Sequence, residues 1–185
     1  ALAFLLFSLL TGATYIFNDL ADVNEDRLHP LKQNRPLASG QLNRSLAIAG
    51  AVVMASSGMT LSFILDVQFG IVAAVYLSLM LAYNIALKEM VILDVLAISG
   101  GFVLRAVAGA LAIDLPISPW LYTCTGLGAL LIALGKRRSE LSAAPDDAHR
   151  QRDALESYTT PMLDQFISIV APAALVARLH PAPAM

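Results

Sequence analysis

The chain has 185 residues, of which 57 % are apolar and 14 % charged, with a mean hydropathy of +0.68 and a net charge of -2. That composition excludes an ordinary soluble domain and points to a membrane protein, and no nucleic-acid partner is expected. The lone Cys124 excludes an intrachain disulfide, and neither a CxxC nor a Cys/His zinc pattern occurs. The chain starts at Ala1 inside an apolar run, without an initiator Met or a basic n-region. A signal peptide is therefore not expected, and the N-terminus is read as incomplete.

Apolar stretches recur at about 1–17, 46–64, 69–87, 95–113, 118–135 and 162–178, each near the ~17–25 residues that cross a bilayer as a helix. The expected fold is all-α, a polytopic bundle of about six spans in the lipid bilayer. If all six cross, segments 18–45, 88–94 and 136–161 share one side, and the short turns 65–68 and 114–117 share the other. Of the 12 Lys and Arg, ten fall on the first side (Arg27, Lys32, Arg35, Arg44, Lys88, Lys136, Arg137, Arg138, Arg150, Arg152) and none on the second. The positive-inside rule makes the first side cytoplasmic and predicts a multi-pass protein of the inner (plasma) membrane whose site faces the cytoplasm. Residues 1–178 are read as one transmembrane catalytic bundle, itself partial, and the Pro-rich 179–185 as a disordered or aberrant tail. Small residues in Ser99-Gly100-Gly101 and Ala106–Ala110 suit close helix approach in lipid.

The first apolar stretch ends in Asn18-Asp19-Leu20-Ala21-Asp22-Val23-Asn24-Glu25-Asp26. On a continuous helix Asp19, Asp22 and Asp26 fall within an arc of roughly 60°, so that exposed carboxylates at a membrane boundary can converge on a hard cation. Arg27, His29, Lys32 and Arg35 follow directly, with Pro30 and Pro36 disfavouring a continuous helix. Carboxylate-held metal beside cations complements a diphosphate. An ordinary acidic helix end followed by a topogenic basic loop is the plain alternative, and His29 before a proline reads as a turn residue.

In the second cytoplasmic segment Tyr83 and Lys88 bracket a helix end, either as phosphate binders or as an interfacial anchor pair, and Asp94 opens the next span. Arg105 lies eleven residues on, ~16 Å deeper along the helix, and must face protein or water. Asp94 is too far to pair with it, so its partner is another helix or a ligand. The third segment opens Gly135-Lys136-Arg137-Arg138-Ser139-Glu140, a positive-inside anchor or a second phosphate clamp. Tyr158 and the acidic residues Asp146, Asp147, Asp153 and Glu156 receive no role.

Asn-Asp-x-x-Asp-x-x-x-Asp at 18–26, followed by His-Pro-x-Lys-x-x-Arg-Pro at 29–36, resembles the first aspartate-rich motif of the UbiA-type prenyltransferase superfamily. Tyr83 to Lys88 with Asp94, and Gly101 to Gly109 around Arg105, look like its central segment. The resemblance implies an intramembrane α-bundle that uses Mg²⁺ on Asp19, Asp22 and Asp26 to bind a diphosphate. Where aromatic prenyltransferases carry a second aspartate-rich motif, this chain has Lys136-Arg137-Arg138-Ser139-Glu140-Leu141. That form is similar to the branch that transfers 5-phosphoribosyl from 5-phosphoribosyl 1-diphosphate to a polyprenyl (decaprenyl) phosphate, for cell-wall or glycolipid precursors. By that resemblance Asp19, Asp22 and Asp26 are catalytic and metal-binding. Asn18, Lys32, Arg35, Tyr83, Lys88, Arg105, Lys136, Arg137 and Glu140 bind substrate, with Glu140 a further ligand or an orienter of Arg137. An aromatic prenyltransferase of quinone or haem synthesis, and an inactive or non-enzymatic membrane fragment, are the competing readings.

Overall fold

The computed structural model describes residues 1–28, 32–116, 118–143 and 158–179. Among them the chain forms α1 (Leu2–Ala21), α2 (Val23–Leu28), α3 (Arg44–Leu65), α4 (Val67–Ile85), a 3₁₀ turn (Leu87–Glu89), α5 (Leu93–Leu111), α6 (Pro119–Ala143) and α7 (Thr160–Leu179), and no strand. His29, Pro30, the acidic stretch 146–156 and the tail from 180 lie outside the described residues.

Five helices, α1, α3, α4, α5 and α7, are long and apolar enough to cross a membrane. The sixth expected span lies within α6, which at 25 residues has the length. Its Thr and Gly residues and its Lys136-Arg137-Arg138 end make it more polar than the others. The two turns read as minimal are so. Asp66 links α3 to α4 and caps the latter, its side chain accepting the Phe69 N–H at 2.8 Å.

The spans form a meander: α1 packs on α3, and each of α3, α4, α5 and α6 packs on its successor, while α1 also reaches α4. One apolar cluster joins Leu6, Phe7 and Leu10 of α1 to Phe69, Ala73 and Tyr76 of α4 and Ala108 of α5. A second joins Val95 of α5 to Ala133 and Leu134 of α6 and to Tyr158 and Leu163 at α7. Close approach depends on glycine at several contacts, of which two illustrate the point. A Cβ on Gly58 would stand 3.1 Å from Leu10 across the α1–α3 contact, and one on Gly101 would stand 2.9 Å from Met80 across α4–α5. Gly109 behaves differently: a Cβ there would meet nothing within 4 Å.

This alternation gathers the C-terminal ends of α1, α4 and α6 with the N-terminal starts of α5 and α7, as the ion pairs between them show. It is the end that carries most of the basic residues.

Candidate active site

The acidic helix end is not continuous. α1 stops at Ala21, Asp22 takes φ -91° and ψ 6°, and α2 resumes at Val23. The backbone bonds bridge the break, since Asp22 N–H reaches Asn18 and Asp26 N–H reaches Asp22. The three carboxylates nevertheless part company. Arg35 Nη1 donates to Asp19 Oδ1 and to Asp26 Oδ2, each at 2.8 Å, whereas Asp22 accepts from Lys88 Nζ at 2.5 Å and from Asn18 Nδ2 at 3.0 Å. Lys32 stands 4.0 Å from Asp26. The expectation of exposed carboxylates is corrected here: Asp22 and Asp26 are 4 % and 2 % exposed. An unpaired buried carboxylate is costly, so each has drawn a cation from another segment. Arg35 comes from the coil after α2, and Lys88 from the turn after α4.

The basic helix end has its own anchor. Arg137 donates through Nε to Asp94 Oδ2 at 2.7 Å and through Nη1 to Glu140 at 2.5 Å, and both Arg137 and Asp94 are buried. Burial of Arg137 works against its charge, but Glu140 and Asp94 outweigh it and raise its proton affinity, so it stays cationic. Lys136 is exposed, 4.0 Å from Glu140, and Arg138 points away to an exposed pair with Asp164 at 3.0 Å. The three consecutive cations therefore have three different environments.

Asp94 also accepts from the Tyr158 hydroxyl at 2.5 Å, and that same oxygen accepts the Ile92 N–H at 2.7 Å. Ile92 has φ +70°, a left-handed conformation that costs a β-branched residue on the order of 1–3 kcal/mol unless its surroundings hold it. Arg105 finds its partner on another helix. Its Nη2 donates to the Tyr76 hydroxyl at 2.6 Å, and its guanidinium lies 4.9 Å from the Tyr76 ring and 5.1 Å from that of Phe102.

A cavity of about 470 Å³ lies between α1, α4, α5 and α6. Asn18, Asp19, Asp22, Lys32, Arg35, Tyr83, Arg105, Lys136, Arg137 and Glu140 all line it. Asp26 and Lys88 are not on the wall and stand behind it, held to Arg35 and to Asp22. Five cations and three carboxylates line the wall. The floor is apolar, with Met80, Ile98 and Phe102, and at Tyr15 and Arg105 it meets a second, largely apolar cavity of about 880 Å³.

This sequence carries that wall, and residues 1–150 match the UbiA prenyltransferase family. The chain belongs to the UbiA family. It is 38 % identical over 176 residues to the decaprenyl-phosphate phosphoribosyltransferase of Mycolicibacterium smegmatis, a match covering 95 % of this chain and 55 % of that one. It is 36 % identical to the protein of the same name from Corynebacterium glutamicum, over 95 % of this chain and 53 % of that one. It is 31 % identical to a digeranylgeranylglyceryl phosphate synthase of Sulfurisphaera tokodaii, over 60 % of this chain and 39 % of that one. The chain thus spans about half the length of the first two of these curated relatives and less of the third. The family and the apolar helices together make it an integral membrane protein.

In the UbiA frame, residues that sequence reasoning passed over acquire places. Tyr158 was given no role, yet it holds Asp94; the signal was a tyrosine just before the last apolar stretch. Tyr76 fixes Arg105 and is itself fully buried. Asn84 lines the cavity with a buried Oδ1 that has no hydrogen-bond partner among the described residues. No periodicity distinguishes these residues from their neighbours.

A metal is tested by the donor set. Among the described residues no three Asp, Glu, His or Cys side chains converge as ligands. The donors are nonetheless hard carboxylate oxygens beside a cavity, as Mg²⁺ requires. Arg35 Nη1, 2.8 Å from both Asp19 and Asp26, shows that these two carboxylates already share one positive charge. In charge and in ligand type the residues fit.

Proposed function

We propose that this UbiA-family chain transfers 5-phosphoribosyl from 5-phosphoribosyl 1-diphosphate to a polyprenyl phosphate, such as decaprenyl phosphate, at the cytoplasmic face of the inner (plasma) membrane. Asp19, Asp22 and Asp26 would hold Mg²⁺, which when bound neutralises the charge that grows on the departing diphosphate. The observation that carries the reading is the opposite wall: Lys136 and Arg137 face the cavity shared with Asp19 and Asp22. An aromatic acceptor brings little charge, but a phosphoribosyl diphosphate and a lipid phosphate together bring several anionic groups. A wall richer in cations than in carboxylates matches the second demand.

In the transfer an oxygen of the lipid phosphate forms a bond to C1 of the ribose as the bond from C1 to the diphosphate breaks, and the electron pair leaves with the diphosphate. The attacking oxygen is already anionic, so no strong base is needed. The task of this chain is placement. Arg105, set by Tyr76 at the junction of the two cavities, meets a phosphate whose prenyl tail continues into the apolar cavity or along the lipid-facing spans. Lys32, Arg35, Tyr83, Lys136 and Arg137 bind the sugar phosphate and the diphosphate, and Lys88 holds Asp22 in place by pairing with it. The name shared by the Mycolicibacterium and Corynebacterium relatives, decaprenyl-phosphate phosphoribosyltransferase, supports a phosphoribosyl group and a decaprenyl phosphate as the reacting partners.

Membranes containing the protein, supplied with polyprenyl phosphate and 5-phosphoribosyl 1-diphosphate, should release diphosphate and form a phosphoribosyl lipid. Prenyl transfer to an aromatic acid or to a glycerol phosphate, without phosphoribosyl transfer, would give the chain the other chemistry of its family. Absence of every transfer by the intact protein would leave a non-enzymatic membrane component.

A further inference from the structure

Tyr158 closes a hydrogen-bonded chain whose far end is on the cavity wall. Its hydroxyl donates to Asp94 Oδ1 and accepts the N–H of Ile92, and Asp94 Oδ2 accepts from Arg137 Nε. Asp94 is 0 % exposed, so the pair cannot be exchanged for water without opening the contact between α5, α6 and α7. Asp94 holds Nε of the Arg137 guanidinium and Glu140 holds Nη1, so two anchors fix a side chain that also lines the cavity. Burial and the bond to Asp94 push the Tyr158 phenol well above its ordinary pKa, so the hydroxyl keeps its proton throughout any working range.

We propose that Tyr158 and Asp94 are positioning residues that set the guanidinium of Arg137 so that it meets a phosphate group bound in the cavity. The inference rests on reading the cavity as a diphosphate site. A long arginine side chain reached only by Glu140, three residues and nearly one turn on along the same helix, would keep its rotamer freedom and lose that freedom on every binding event. Fixing it beforehand removes the loss. Ile92 belongs to the same device, because its strained backbone presents the N–H that orients the phenol toward Asp94.

The test titrates inorganic diphosphate with Mg²⁺ into the intact protein in lipid nanodiscs by calorimetry, with thermal unfolding recorded for each variant. Arg137→Ala should weaken diphosphate binding tenfold or more, and Tyr158→Phe about fivefold. In the double variant the loss should equal that of Arg137→Ala alone, since a positioning residue has nothing left to position. A merely structural tyrosine would lower the unfolding temperature without that coupling. Should Tyr158→Phe not fold, Asp94→Asn carries the same expectation with a near-isosteric side chain. Wild-type affinity in the tyrosine or asparagine variant, or losses that multiply in the double variant, overturn the positioning role alone. No diphosphate uptake by the wild type overturns the reading of the cavity, and the positioning role with it.

Discussion

The acidic end of α1 and the basic end of α6 face each other across one cavity, and both are neutralised by partners from elsewhere in the chain. They differ in how firmly. Asp19 shares Arg35 with Asp26, and both the Asp19 and Arg35 side chains are about a third exposed, at 31 % and 37 %. Arg137 and Asp94 are 4 % and 0 % exposed at the side chain and are tied further to Tyr158 and Glu140. An ion pair at a wet edge exchanges its partner at little cost, whereas a buried pair separates only with full desolvation of both charges. The Asp19 edge of the acidic wall therefore suits exchange of its cation, whereas Asp22 with Lys88 and Asp94 with Arg137 are fixed in buried pairs.

The sharpest way to break that contrast is Asp94→Ala. It leaves the buried Arg137 with Glu140 alone and should cost about 3 kcal/mol or more of stability, measured by thermal unfolding in detergent. Loss of well under 1 kcal/mol would make the basic wall no firmer than the acidic one. Next comes Asp19→Asn, which should lower phosphoribosyl transfer by about 100-fold while changing stability by less than about 1 kcal/mol, because its ion pair is partly exposed. Near-normal turnover would remove Asp19 from the metal-binding set. Lys136→Ala should raise the KM for the phosphorylated sugar by a few-fold, roughly the worth of one exposed charged contact, with a smaller change for the lipid phosphate. Equal changes in both would make Lys136 a general membrane anchor. Arg138→Ala should be smallest, within about 0.5 kcal/mol and without effect on either KM, since its pair with Asp164 is on the surface. A KM effect there would mean that the tripeptide acts as one charged block.

Much of the lining of the candidate site was legible because charge is expensive in a membrane. Arg105 announced itself by depth, and Lys136 and Arg137 by their place at the end of an apolar run. Ten of the twelve residues assigned to the site border the cavity, with Asp26 and Lys88 held just behind it. Less legible was the state of the carboxylates. Spacing put Asp19, Asp22 and Asp26 on one helix face, but the break at Asp22 and the approach of Arg35 and Lys88 divided them into a part-exposed group, Asp19 and Asp26 on Arg35, and a buried pair, Asp22 on Lys88.

What the linear chain determined by itself was the all-helical, membrane-embedded architecture, the side on which charge gathers and the family, because apolar run length and the distribution of Lys and Arg are local quantities. Only the tertiary structure decided which cation neutralises which acid, that Tyr76 receives Arg105, and that Tyr158 stands behind Asp94 and Arg137. Apart from Arg35 with Asp19 and Asp26, those partners are 29 to 66 residues apart. Their meeting depends on how the helices pack, and no local pattern encodes that.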